Sequence, residues 1–326
     1  MKKRSRRGPW AAVTSGLLAL SLASLSTSPA LAAPSLRVQV TQNGDFVLLG
    51  NTLGHDCGPG VPAPVVGTVG ACGTLTNDTS QDVFWQSDSP GVGQASANSA
   101  VPSVSAGSTA MLNLPAGAVV THAYLYWAAS RFAQTLDTTV KLARPGVFLT
   151  DVNAVASYKA DYDLVYFSQS VADVTALVQT NGPGAYRVSN VDVALLPDKD
   201  SESLFGGWWM VVLYTLPGAP LRNLAVLEGM DAVLPGSPVN AVLSGFIIPA
   251  GGAAGKLGVI AFEGDNQNGG DGIFFNGIPL SDPKNPANNF FNSSRTLLGV
   301  PVSNVGDLPQ LTGNPQSMSQ IDLDVV

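Results

Sequence analysis

The stretch Gly206-Gly-Trp-Trp-Met-Val-Val-Leu-Tyr-Thr-Leu-Pro217 constrains this chain most, because its apolar side chains run unbroken from Trp208 to Leu213. A strand sends successive side chains to opposite faces, so such a run demands cover on both. Two glycines before it and Pro217-Gly218 after it leave too little length for a helix with a polar face. The segment reads as a central strand. Thr121 to Ala129 is the other long strand candidate, with His122, Tyr124 and Tyr126 on one face and Ala123, Leu125 and Trp127 on the other. It belongs beside or opposite the first.

The rest of the chain repeats this β pattern. Leu36 to Val40 and Phe46 to Leu49 predict a hairpin around Asn43-Gly44, a strong turn dipeptide. Shorter strands are expected at 82–85, 108–114, 138–142, 147–150 and 162–167, then at 186–196 with a bend at Ser189-Asn190, and at 222–228, 239–248 and 256–262. Ser87 to Ala106 is almost entirely small and polar, which suits a surface loop or hinge. Ser170 to Gln179 is the one helix, with Val171, Val174 and Val178 at helical intervals; its β-branched residues keep a strand as the alternative. The sum predicts an all-β chain, an antiparallel β-sandwich or jelly-roll-like fold with one short helix. Ile321-Asp-Leu-Asp-Val-Val326 alternates like a strand, and the chain stops inside it. That suits the N-terminal piece of a longer protein, or a chain that ends in a sheet strand.

The N-terminus is read apart from the fold. A basic start, Met1-Lys-Lys-Arg-Ser-Arg-Arg7, precedes a mostly apolar segment and Ala30-Leu-Ala32, the pattern of a signal peptide over residues 1–32. Serines and a glycine dilute the segment, so no membrane insertion is expected. Residues 33–106 form an N-terminal β segment with a disulfide loop, and 107–326 the main β-sandwich domain, either separate or continuous with it. Loss of the leader takes Lys+Arg from 16 to 11 against 23 Asp+Glu, leaving a mature charge near −12. That balance disfavours nucleic acid and anionic membrane as partners and suits life outside the cytoplasm, secreted or at the cell surface. In that compartment Cys57 and Cys72 are expected to form a disulfide across a Gly/Pro-rich loop, with free thiols as the alternative.

The richest polar cluster is Glu263-Gly-Asp-Asn-Gln-Asn-Gly-Gly-Asp271. Its candidate metal ligands are Glu263, Asp265, Asn266, Asn268 and Asp271, because Ca²⁺ wants six to eight oxygens and glycines let the backbone curl around it. The alternative is a hairpin loop whose Asp and Asn side chains make Asx-turns. Glu263 and Asp265, two apart on a strand, also offer an acid–base pair of the glycosidase kind. No nucleophile elbow, phosphate loop or dinucleotide fingerprint occurs. Asn285 to Ser293 is a polar loop with two phenylalanines that either folds against the acidic loop or stays solvated. Asn77-Asp-Thr79 and Asn292-Ser-Ser294 would accept glycans in a glycosylating host. Tyr124, Tyr126, Trp127, Trp208, Trp209 and Tyr214 pack in the core unless one stands outside to stack on a sugar.

Leu114-Pro-Ala-Gly-Ala-Val-Val-Thr-His-Ala-Tyr-Leu-Tyr-Trp127, Gly207-Trp-Trp-Met-Val-Val-Leu-Tyr214, Arg222-Asn-Leu224, Leu243-Ser-Gly-Phe246 and Phe262-Glu-Gly-Asp265 carry a resemblance. Through them the chain resembles the N-terminal region of large exported bacterial surface proteins that carry Ig-like repeats of uncharacterised function. The resemblance implies an extracellular or cell-surface protein, adhesive in character, without assigned catalytic residues. The expected function is thus an exported binding or structural module, with cell-surface polysaccharide or protein as its partner and no catalysis. The alternative is a secreted hydrolase acting on polysaccharide.

Overall fold

The apolar run at Trp208 lies in a ten-residue strand, and the layers around that strand account for its composition. The computed structural model describes residues 34–55, 84–89, 93–97, 101–131, 133–162, 165–193, 204–246 and 254–326. The leader, Cys57, Cys72 and Asn77 lie outside the described residues. The central sheet has the order β13 (Leu221–Glu228), β1 (Ser35–Thr52), β12 (Gly206–Thr215), β6 (Val119–Arg131), β10 (Val165–Asp173) and β9 (Ala156–Tyr162). Every pairing in it is antiparallel. A second sheet comprises β2 (Gly54–His55), β3 (Phe84–Ser89), β5 (Gly107–Leu112), β11 (Gly184–Ser189), β7 (Thr139–Arg144) and β8 (Phe148–Asn153), with β4 (Gly93–Ala97) beside β3. A third holds β14 (Gly258–Phe262), β19 (Ile321–Val325), β17 (Arg295–Leu297) and β18 (Val300–Pro301). The hairpin β15 (Phe274–Phe275) and β16 (Ile278–Pro279) stands apart, and α1 (Thr175–Asn181) follows β10. The fold is all-β and predominantly antiparallel, with curled sheets and one short α-helix among the described residues.

Period-2 alternation explains the layering. One face of the central pair sends Ala123, Leu125, Trp127, Trp208, Met210 and Val212 into a core shared with Leu112, Leu142, Tyr186 and Val188 of the second sheet. The other face sends Tyr124, Tyr126, Trp209 and Leu213 against Phe262, Ile321 and Leu323 of the third. The Trp208 strand is covered on both sides, as its composition requires. Each of the larger aliphatic side chains contributes about 1.5–3 kcal/mol by burial. Gly207 lets the third sheet approach: a Cβ there would stand 2.3 Å from Ile321 Cδ1.

Several local expectations are corrected. Asn43-Gly44 makes no turn; the backbone runs straight through as β1, pairing with β13 up to Asn43 and with β12 from Gly44. A Cβ on Gly44 would meet the Tyr214 carbonyl oxygen at 1.8 Å, so this glycine serves close approach. The loop expected at 87–106 contains β4 and fully buried Ala95, Ala97 and Ala106, small residues that admit tight packing. The strand expected at 162–167 is divided between the end of β9 and the start of β10. The helix begins at Thr175, because Ser170–Asp173 stay in β10 paired with β6, and the Asp173 carboxylate accepts from Thr175 N–H. Residues 239–246 pair with no strand among the described residues; Gly245 at φ +80° breaks the extended run. The bend at Ser189-Asn190 is present, with Asn190 at φ +62° closing β11. No helix among the described residues is long and apolar enough to cross a membrane.

Candidate functional site

Between β14 and β17 the chain makes an excursion, residues 263–294, that covers the outer face of the third sheet. It starts with a corner at Glu263, whose φ of +65° turns the chain out of β14. That corner takes Glu263 and Asp265 out of a common strand, so the spacing argument for an acid–base pair does not apply. Asp265 Oδ1 accepts the N–H groups of Gln267 and Asn268 at 2.9 and 2.5 Å, and Asn268 Nδ2 donates to its other oxygen at 2.8 Å. Asp271 Oδ1 accepts Phe291 N–H at 2.8 Å. Asn266 offers its backbone carbonyl to Asn289 Nδ2 at 3.2 Å. The five sequence-predicted ligands thus lie in one loop, where Asp265 makes an Asx-turn and Asp271 fastens the neighbouring segment. Among the described residues no group of three or more His, Cys, Asp or Glu side chains converges on a common point for a metal.

The polar loop 285–293 does fold against the acidic one, and its interior is polar. Asp282-Pro-Lys-Asn285 repeats the Asp265 turn: Asp282 Oδ1 accepts from Lys284 and Asn285 N–H at 2.7 and 2.9 Å, and Asn285 Nδ2 donates to Oδ2 at 3.1 Å. Asn285 is fully buried, and so is Phe290 five residues on. Asn292 is buried as well, donating to the carbonyls of Lys284 and Asn289, so it is no glycan acceptor in this fold.

Beneath the excursion lie two residues that the sequence reading passed over. Asp322 and Asp324 project from one face of β19 and are both fully buried. Asp322 Oδ1 accepts Asn292 and Ser294 N–H at 2.9 and 3.1 Å, where Ser293 at φ +58° curls the backbone into a nest. Asp322 Oδ2 has no hydrogen-bond partner among the described residues and lies against Gly264. Asp324 Oδ1 accepts from Thr296 N–H, Thr296 Oγ1 and Ser294 Oγ at 3.0, 2.6 and 3.2 Å. Burial, and for Asp322 the neighbouring Asp324, push both carboxyls up, Asp324 to about 7. Alternation marked this strand, but an Asp-x-Asp strand usually wets its acidic face, and nothing local foretold the cover.

Two further networks are structural. Glu228 accepts from Nε and Nη2 of Arg37 and from the hydroxyls of Tyr126 and Tyr158, the last at 2.5 Å, which pins the curl of the central sheet. Burial pushes its carboxyl up, but the donors from Arg37, Tyr158 and Tyr126 outweigh that and hold it below the usual range. Arg295 and Asp307 form a buried ion pair at 2.7 Å, and Asn51 bonds to both, tying the third sheet to β1. The aromatic platforms are core: Tyr124, Tyr126, Trp127, Trp208, Trp209 and Tyr214 are all buried.

The exposed large side chains lie elsewhere. β15 and β16 are joined by Asn276 and Gly277 at φ +50° and +79°, a tight type I′ turn that presents Phe274 (62% exposed), Phe275 and Ile278 (66%) to solvent. A second such turn, Leu298-Gly299, joins β17 to β18 and exposes Leu297, Leu298 and Val300. Leu298 holds φ +51°, a conformation that favours Gly or Asn. Gly299 packs against Asp282 and Pro283, just past the first hairpin. No family model, no curated protein and no solved structure matches this chain.

Proposed function

We propose that the chain is an exported module, secreted or held at the cell surface, that binds a protein partner and performs no covalent chemistry. The observation that carries this reading is the Phe274-Phe275-Asn-Gly-Ile278 hairpin, which puts three large apolar side chains on a rigid turn. Ile273 to Leu280 contains no charged residue. Burial of such side chains against a matching surface supplies the centre of a protein–protein contact. A sugar site would want aromatics together with convergent hydrogen-bonding groups. The residues quoted above for the surface-protein resemblance and the leader pattern support the extracellular setting.

The test uses the mature chain and a Phe274→Ser, Phe275→Ser, Ile278→Ser variant, passed over purified envelope proteins and polysaccharides of the producing cell. Saturable binding to a defined protein is expected, weakened at least about tenfold in the variant, roughly 1.4 kcal/mol. The melting midpoint should be unchanged, since these side chains are already exposed. Reducing sugar released from polysaccharide by both forms would overturn the reading in favour of a hydrolase. Expressed with its leader, the protein should be recovered outside the cytoplasm with Ala33 first.

A further inference from the structure

The Asp322–Asp324 pair poses a problem that the proposed binding role does not use. Two carboxylates project from one face of one strand, both fully buried. Among the described residues no arginine or lysine bonds to either. On β14 their register partners are Ala261 and Val259, which cannot titrate. On β17, Thr296 and the preceding Ser294 face them, while Arg295 binds Asp307 and Asn51. From the excursion come Gly264, Asn285, Asn292 and Ser293. Of its charged residues, Asp265 and Asp271 accept loop N–H groups, Asp282 binds Asn285, Glu263 is exposed and Lys284 is half-buried. Two adjacent buried negative charges with no cation are unstable in a low-dielectric interior, and taking up a proton relieves them.

The same two carboxylates are what hold the excursion down. Asp322 binds the backbone at 292–294, and Asp324 binds Ser294 and Thr296 and, through Ser294, Asn285. We propose that Asp322 and Asp324 form a proton-gated clamp: with a proton on the pair the 263–294 excursion is fastened to β19, and with both carboxylates ionised it loosens while the central sheet stays closed. Raised carboxyl values, Asp324 at about 7, put the change near neutrality. The clamp does not depend on what the excursion binds.

Hydrogen exchange by mass spectrometry on the mature chain, at several pH values and corrected for intrinsic exchange, tests this. Protection of peptides within 263–294 should fall by up to about tenfold per pH unit between about pH 4 and 7, the linkage of one proton between the free carboxyl value and that of Asp324, while β6 and β12 keep the larger protection of global unfolding. Asp324→Asn keeps the shape without the charge and should flatten that slope. Flat wild-type protection, the same level of protection in the excursion as in the central sheet, or an unchanged slope in the variant would overturn the clamp. Should Asp324→Asn fail to fold, carboxyl-carbon NMR of the wild-type protein decides instead. A midpoint above about 6 for at least one carboxyl sustains the clamp, and ordinary values near 4 for both end it.

Discussion

The central β6–β12 pair and the inner side of the excursion, where it meets β19, are both buried, yet they are built on opposite chemistry. The first buries Trp127, Trp208, Met210 and Val212 on one face and Tyr126, Trp209 and Leu213 on the other. The second buries Asp322, Asp324, Asn285, Asn292 and Ser294, so its interior is a hydrogen-bond network. The difference is one of tolerance. Apolar burial is non-directional and survives small shifts, whereas a buried polar network is worth its cost only when every member finds its partner. The Asp322 oxygen without a partner marks where that condition is nearest to failing. The central pair supplies the larger apolar core, and the proposed clamp makes the excursion the part that responds near neutral pH.

The largest blow to this contrast falls at Val212, which is fully buried. Val212→Asp places an unpaired carboxyl in an apolar layer, at a cost of several kcal/mol even if it stays protonated. A fold stable by roughly 5–15 kcal/mol loses most of its margin. Asn190→Asp, at an exposed strand end, should be close to neutral, and urea midpoints of the two variants measure the gap. A nearly unchanged Val212→Asp midpoint would break the comparison. Arg295→Met comes next. It leaves Asp307 charged and buried against Asn51, and losing one partner of such a pair costs about 3–5 kcal/mol. Arg295→Met with Asp307→Leu should recover much of that loss.

The pH dependence of stability separates the regions by sign. Glu228 has a depressed carboxyl, so its contribution is present above the unfolded value and is lost as pH falls through the folded one. For Asp322 and Asp324 the folded state binds more protons, so their contribution is complete below about pH 4 and is lost as pH rises towards 7. Urea midpoints from about pH 3 to 8 should show both effects, each on the order of a few kcal/mol at most. Glu228→Gln removes only the acid-side loss, and Asp324→Asn only the neutral-side loss. If either variant removed the other's slope, the two regions would not be separate titrating systems.

How much of this was legible differs by layer. Trp208 to Leu213 announced two covered faces, and the alternation through Thr121–Ala129 assigned each residue to the correct one, because period-2 patterning is a local property. Asn43-Gly44 misled, since the dipeptide cannot say whether its glycine serves a turn or, as here, the approach of the Tyr214 carbonyl. The acidic loop was found and Asp265 lies in the Asx-turn weighed for it. The aspartates of β19 were not found. Their burial depends on a segment about 30 residues earlier folding over them, as the bonds from Asn292 and Ser294 to Asp322 show, and no local period encodes that.

The smallest effect sharpens the comparison most, because it uses one motif in both settings. Asp265-Asn-Gln-Asn268 and Asp282-Pro-Lys-Asn285 make the same turn with the same three hydrogen bonds. Asn268 ends in solvent, while Asn285 is fully buried and donates onward to Thr296 Oγ1 at 3.0 Å. Asp282→Ala takes an acceptor from a buried amide and should cost about 1–3 kcal/mol. Asp265→Ala frees groups that water can satisfy, so its cost should stay below about 1 kcal/mol. Melting midpoints of both, with Ca²⁺ and with chelator, complete the test. An ion held by the acidic loop would add a Ca²⁺-dependent rise that Asp282→Ala keeps and Asp265→Ala removes. Equal losses in the two variants would mean that the buried network under the excursion adds nothing to its turns, and the contrast with the central sheet would fail.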